Sequence, residues 1–178
     1  VIVALAGLPG TGKSTLGRAL AAHCKGAIVS KDLLRAAAFP PPWTAHTTAQ
    51  DDFVMTLMLQ TSEWLVREQR CPAVFLDGRT FSRRYQRDIA SRTARDLGRP
   101  FHLIECVCRD ESAIARIGRD ATHPAANRNA DLYWRMKSSF EPIGDPFLRV
   151  DTDRTLDVCV GQCLRALASP ACVNPVAE

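Results

Sequence analysis

The segment Gly7-Leu8-Pro9-Gly10-Thr11-Gly12-Lys13-Ser14-Thr15 reads G-x-x-x-x-G-K-S, a spacing suited to holding a polyphosphate. Gly7, Gly10 and Gly12 let several backbone N–H groups converge on one anion, which needs backbone angles and close approach that side chains obstruct. Lys13 can reach the β- and γ-phosphates, the Ser14 hydroxyl suits Mg²⁺, and Thr11 and Thr15 complete the loop. A helix beginning near Lys13 points its positive end at the same anion. The implied cofactors are ATP and Mg²⁺.

Two acids extend this chemistry. Asp77 closes the run Val74-Phe-Leu-Asp77, the Walker B pattern, and would hold Mg²⁺ opposite Ser14; the competing reading is a turn or helix-capping aspartate. Asp32 lies three residues before Arg35, so one helical turn presents both to the same site. A carboxylate there can take the proton of a hydroxyl attacking the γ-phosphate. It could equally be a first-turn acid favouring the helix dipole. For the acceptor, Phe39, Trp43 and His46 of a proline-rich loop are candidates, with Arg79, Arg83, Arg84 and Arg87 after Asp77. Trp43 either packs that loop down or lines the pocket. The arginines form either a solvated helix face or a seat for an anion.

The elements that must position these residues alternate. Strands are expected at residues 1–6, 27–29, 73–77, 101–107 and 147–150, each an apolar run of strand length. Helices are expected at 13–23, from Ser30 to before Pro40, and at 48–69, 82–97, 110–119, 130–140 and 156–168. In the helix at 48–69, Phe53, Leu57, Trp64 and Leu65 recur at helical spacing. Phe39-Pro-Pro-Pro-Trp43 is expected to be extended and stiff. Alternating strands and helices imply an α/β fold, a three-layer doubly wound parallel five-stranded sheet. Ligands of such sheets sit at the carboxyl ends of the strands, where the P-loop, Asp32 and Asp77 all fall. Residues 1–168 would form one domain, with a loose tail at 169–178.

Composition limits the partners. The chain has 178 residues, enough for one full core, with net charge +4 and 24% charged residues. No apolar run approaches the roughly 20 residues that span a bilayer. The mild charge and 7% aromatic content make nucleic acid a secondary partner. Seven cysteines, an odd number without zinc-site spacing, point to a reducing cytoplasm and to small buried hydrophobes. Cys106 and Cys108 should share a strand face, and Cys159 and Cys163 a helix face.

The P-loop, Ser30-Lys-Asp32-Leu-Leu-Arg35, Asp77-Gly-Arg-Thr-Phe81 with Arg87, Arg116-x-x-Arg119 and Tyr133-x6-Phe140-Glu-Pro resemble the P-loop kinases related to polynucleotide 5′-kinase, zeta toxin and chloramphenicol phosphotransferase. The similarity runs over about residues 1–168. It implies that Asp32 is the general base and that Arg35 holds substrate or an acceptor phosphate. It implies too a sheet of the P-loop NTPase, nucleoside-kinase-like type with a helical lid at about 116–130, from which Arg119, with Arg116, neutralises charge on the transferred phosphoryl group. Arg87 matches the same pattern. The expected activity is ATP-dependent phosphorylation of a small-molecule hydroxyl by a monomer or homodimer. The alternatives are a 5′-hydroxyl polynucleotide kinase and a nucleotide-dependent switch or ATPase with no acceptor.

Overall fold

The computed structural model describes residues 1–119, 129–144 and 147–168. In chain order the elements are β1 (Ile2–Ala6), α1 (Lys13–His23), β2 (Ala27–Ser30), α2 (Lys31–Ala38), α3 (Thr48–Arg67), β3 (Val74–Asp77), α4 (Arg84–Asp96), β4 (Phe101–Val107), α5 (Asp110–Arg119), α6 (Ala130–Ser138), β5 (Leu148–Asp151) and α7 (Leu156–Ala168). The strands pair in parallel in the order β2-β3-β1-β4-β5. This is the five-stranded, three-layer doubly wound parallel arrangement that the alternating elements imply.

The central strand shows why both faces must be covered. Ile2, Ala4 and Ala6 pack with Met55, Met58 and Val66 of α3 and with Ala90 and Ala94 of α4. Their neighbours Val3 and Leu5 point the other way, against Leu16 and Leu20 of α1 and Cys159, Val160 and Cys163 of α7. Side chains alternate along a strand, so an unbroken apolar run needs a helical layer on each face. Each strand therefore ends at the same edge of the sheet, where the chain can carry polar residues.

Four local expectations are corrected. The buried face of α3 is Val54, Met55, Met58, Leu59, Ser62 and Val66, while Phe53 and Trp64 are each 55% exposed. The Pro40–Trp43 segment is a turn rather than an extended rod. The Trp43 N–H closes back on the Pro40 carbonyl at 2.8 Å, and the Thr44 hydroxyl donates to the Phe39 carbonyl. Helix α4 starts at Arg84, not Ser82, because Glu141 accepts the Arg84 N–H at 2.5 Å and anchors that first turn. Cys106 lies buried in β4, but Cys108 is past its end and packs with the small cluster of Ala113, Ile117 and Tyr133. No disulfide forms among the described cysteines. No helix among the described residues is long and apolar enough to cross a membrane. Most of the expected lid and the whole tail at 169–178 lie outside the described residues.

Candidate active site

The P-loop links β1 to α1 with Gly7, Gly10 and Gly12 all at positive φ (131°, 78° and 78°), where a side chain is strained. Space is also lacking: a Cβ on Gly10 would lie 2.3 Å from the Ala113 carbonyl, and one on Gly7 2.3 Å from that of Cys106. Loop and helix α5 thus pack backbone to backbone. The Thr11 hydroxyl donates to the Leu8 carbonyl at 2.8 Å, and Lys13 Nζ donates to the same oxygen at 2.6 Å. Lys13 is buried, folded over the loop that it closes. Ser14 is half-buried and Thr15 exposed. The Thr152 hydroxyl sits between the carbonyls of Thr11 (3.0 Å) and Val107 (3.1 Å), tying the loop to the sheet.

Asp77 ends β3 beside this loop. It is 5% exposed, and its Oδ1 is buried with no hydrogen-bond partner among the described residues. Leaving a carboxylate oxygen so costs free energy unless something else satisfies it. A hard cation fits: oxygen donors from Asp77 and Ser14 suit Mg²⁺, which takes few protein ligands and completes its shell with water and phosphate.

Asp32 lies across β2 from Asp77. Ser30 pairs with Asp77 in the sheet register, and Ser30 then caps α2 by accepting the Leu33 N–H. Asp32 therefore falls in the first turn, over the next residue of the β3 loop, Gly78. A Cβ on Gly78 (φ +84°) would lie 3.1 Å from Asp32 Oδ2. The carboxylate rests on a glycine that leaves it room. Its Oδ1 is 3.7 Å from Lys31 Nζ and 3.9 Å from Arg35 Nη1.

Around Asp32 is a set of charged and polar groups, its cations Lys31, Arg35 and Arg79 buried, of which the sequence reading recognised only part. Lys31 donates to Asp51 Oδ1 at 3.1 Å, and Arg35 also pairs with Asp51. Arg35 Nη1 lies 3.0 Å from His46 Nδ1. Arginine can only donate, so this ring nitrogen accepts and the imidazole is neutral, with its proton on Nε2. Arg79 bonds Asp52 through Nη2 at 2.5 Å, and Tyr85 donates to the same carboxylate oxygen at 2.9 Å. Burial pulls Lys31 down to about 8, with Asp32 opposing and the positive charges of Arg35 and Arg79 reinforcing the fall. Burial, then Arg35 and Lys31, also lower His46. Lys31, Asp51, Asp52 and Tyr85 were missed. The adjacent acids at the start of α3 were the one available signal.

The remaining expected residues are placed as follows. Arg87 spends Nη1 on the Phe81 carbonyl (2.9 Å) and Nη2 on the Pro142 carbonyl (3.0 Å). Arg116 donates to the Thr152 carbonyl at 2.9 Å and to Asp153 Oδ1 at 3.3 Å. Arg119 is exposed at the end of α5. Trp43 is 73% exposed. Arg35 and Arg79 thus join Asp32, whereas Arg87 clasps backbone and Arg116 braces the Thr152 loop.

The AAA domain family profile matches residues 2–143. Solved structures share the fold at low identity. Mycobacterium tuberculosis APS kinase CysC, in complex with AMPPNP and APS, matches with a TM-score of 0.72 at 18% identity, covering 94% of this chain and 97% of that one. A gluconokinase from Sinorhizobium meliloti matches at 0.67 and 19%, covering 93% and 90%. Chaetomium thermophilum Kti12, in complex with ADP-AlF3, matches at 0.70 and 12%, covering 95% and 100%. No curated protein matches the sequence.

Proposed function

The chain belongs to the AAA domain family, and within it we propose an ATP-dependent kinase that phosphorylates a hydroxyl of a small molecule. The observation that carries the reading is the Asp32 carboxylate packed on Gly78, one residue beyond Asp77 and on the strand next to it. A carboxylate held there among Lys31 and Arg35 is suited to take the proton of an attacking hydroxyl. Two relatives in fold named as kinases of small molecules, the APS kinase and the gluconokinase, support it.

In this mechanism the P-loop N–H groups and Lys13 hold the β- and γ-phosphates of ATP, Lys13 leaving the Leu8 carbonyl to do so. Mg²⁺, held by Asp77 and Ser14, would supply charge neutralisation on the phosphate oxygens. Asp32 accepts the acceptor's hydroxyl proton as that oxygen forms its bond to the γ-phosphorus. The bond from the γ-phosphorus to its bridging oxygen breaks, and ADP leaves with that electron pair. Lys31 and Arg35 flank the Asp32 carboxylate and hold it in place; Arg119 contributes positive charge on the phosphoryl oxygens. The loop at Thr152, braced by Arg116, steadies the P-loop. The Asp32-x-x-Arg35 pattern supports a kinship with the polynucleotide kinase, zeta toxin and chloramphenicol phosphotransferase subgroup. Exposed Trp43 and Phe53 favour a 5′-hydroxyl polynucleotide kinase as second reading, since bases stack on aromatic rings.

The test is a mass-spectrometric transfer screen with Mg²⁺, ATP and pooled metabolites, antibiotics, nucleosides and 5′-hydroxyl oligonucleotides, with Asp32→Asn protein as control. A small molecule that gains one phosphate only with the wild-type protein is expected. Transfer only to oligonucleotides would move the second reading to first.

A further inference from the structure

Helix α2 carries Asp32, yet its only buried residues are the cations Lys31 and Arg35. Of its two leucines, Leu33 is exposed and Leu34 packs half-buried against the core. Eight residues fall well short of the roughly 12–15 at which an isolated helix becomes even marginal. Contacts with its surroundings therefore decide where α2 sits, and the buried ones are ionic. Lys31 and Arg35 both pair with Asp51 of α3. The same two cations flank Asp32 at 3.7 and 3.9 Å, so one carboxylate holds both groups that hold the base.

Asp52, the next residue of α3, works on the other side. Successive helical residues are rotated by about 100°, so neighbouring carboxylates reach different partners. Asp52 accepts from Arg79 Nη2 at 2.5 Å and from the Tyr85 hydroxyl at 2.9 Å. Arg79 follows Gly78, on which the Asp32 carboxylate rests. The Thr80 carbonyl, one residue further, accepts the Gly7 N–H of the P-loop at 3.0 Å. Asp52 thus anchors the segment that joins the seat of Asp32 to the P-loop. Helix α3 can serve as the fixed member because Val54, Met55, Met58 and Leu59, directly after the two acids, are buried. Groups held by a packed helix are held more precisely than groups held by a loop.

Resting on the reading of Asp32 as the base of a kinase, we propose that Asp51 and Asp52 are positioning residues that clamp Asp32 from two sides. Asp51 acts through Lys31 and Arg35 of α2, and Asp52 through Arg79 and the segment at Gly78. An acid in the first turn of a helix also favours the helix dipole, but that effect needs no partner. Here each carboxylate engages two donors from other elements.

The first arm of the test is hydrogen exchange of the full chain without ligand, read by mass spectrometry. Asp51→Asn should speed exchange in α2 about tenfold and leave α1 as in wild type, because the loosening is local. Unchanged exchange in α2, or faster exchange throughout the chain, overturns the clamp. Should Asp51→Asn fail to fold, as circular dichroism would show, Asp51→Glu, which keeps the charge but moves it, is read in its place. The second arm uses ATP and Mg²⁺ with water as the attacking hydroxyl, followed by phosphate release. Asp51→Asn and Asp52→Asn should each lower kcat about tenfold, the cost of a shift of about 0.5 Å when 1 Å costs about 10²-fold. KM for ATP should stay as in wild type. Neither change should slow Asp32→Asn protein further, since residues acting through one group are not additive with its loss. A loss that adds in full to that of Asp32→Asn is a merely structural effect and overturns the proposal, as does wild-type kcat in either variant while Asp32→Asn is slow. Wild-type phosphate release by Asp32→Asn would instead remove the base, and with it the kinase reading on which the clamp rests.

Discussion

Replacing Gly78 by alanine tests whether the seat of Asp32 matters to chemistry. The new Cβ would lie 3.1 Å from Asp32 Oδ2, 3.2 Å from Asp32 N and 3.2 Å from Lys31 Cβ. Ordinary contact begins at 3.4 Å, so the start of α2 must yield by about 0.3 Å, the difference between 3.4 and 3.1 Å. A displacement of 1 Å costs about 10²-fold in rate, so this shift predicts a fall in kcat of about fourfold. The left-handed φ of +84° adds a stability loss of roughly 1–2 kcal/mol. Gly98→Ala separates the two effects, because Gly98 has φ +61° but nothing within 4 Å of a Cβ. Urea melts of both variants should shift alike, while acceptor phosphorylation slows in Gly78→Ala alone and ATP affinity is kept in both. Equal kcat values in the two variants would refute the positioning argument.

Arg87→Met should cost about 3 kcal/mol in a urea melt, from one or two lost charge-assisted bonds to buried carbonyls, with KM for the acceptor unchanged; a KM effect without a stability loss would return Arg87 to the acceptor site. Burial holds Lys31 at about 8 against an ordinary 10.5, so between these values the unfolded chain keeps a proton that the folded chain has shed. Its destabilising contribution is full below about pH 8 and fades toward 10.5, and wild type should therefore gain stability relative to Lys31→Gln across that window. A difference in urea midpoint that is flat with pH would contradict it. The Cys106 and Cys163 thiols are pushed up to about 12 by burial, so iodoacetamide at pH 8 should leave them unmodified in the folded protein. Labelling of Cys106 at the rate of the half-buried Cys71 would show that the β4 core opens.

Much of this architecture could be read from the residue order. The P-loop announces itself because phosphate capture imposes glycines at fixed offsets, and parallel strands buried on both faces must be short apolar runs. Helix α3 was legible in extent but not in orientation. Its run Phe53-Val-Met-Thr-Leu-Met-Leu is apolar on nearly every side, so a stripe rotated by one residue fits the pattern as well as the true one. The Asp32 environment was legible through Asp32 and Arg35, which share a helical turn, and through Arg79 after Asp77. Asp51, Asp52 and Tyr85 reach it from two elements far from Asp32 in the chain, and periodicity carries no record of such contacts. The Pro40–Trp43 turn was misjudged because prolines constrain φ without deciding where a chain reverses. Arg87 and Arg116 were taken for ligand-facing residues since arginine suits phosphate, yet each finds backbone carbonyls within reach.

The division of labour between Lys13 and Asp32 is the centre of the account, and Asp32→Asn tests it most directly. ATP affinity and the rate of phosphoryl transfer to the acceptor would be measured on the same sample, beside Lys13→Ala. Asp32→Asn should bind ATP as wild type does and transfer phosphate about 10²- to 10⁴-fold more slowly, the range for losing a general base, while Lys13→Ala loses both together. Wild-type transfer by Asp32→Asn, or an equal loss of ATP binding in the two variants, would contradict the assignment of Asp32 as the base.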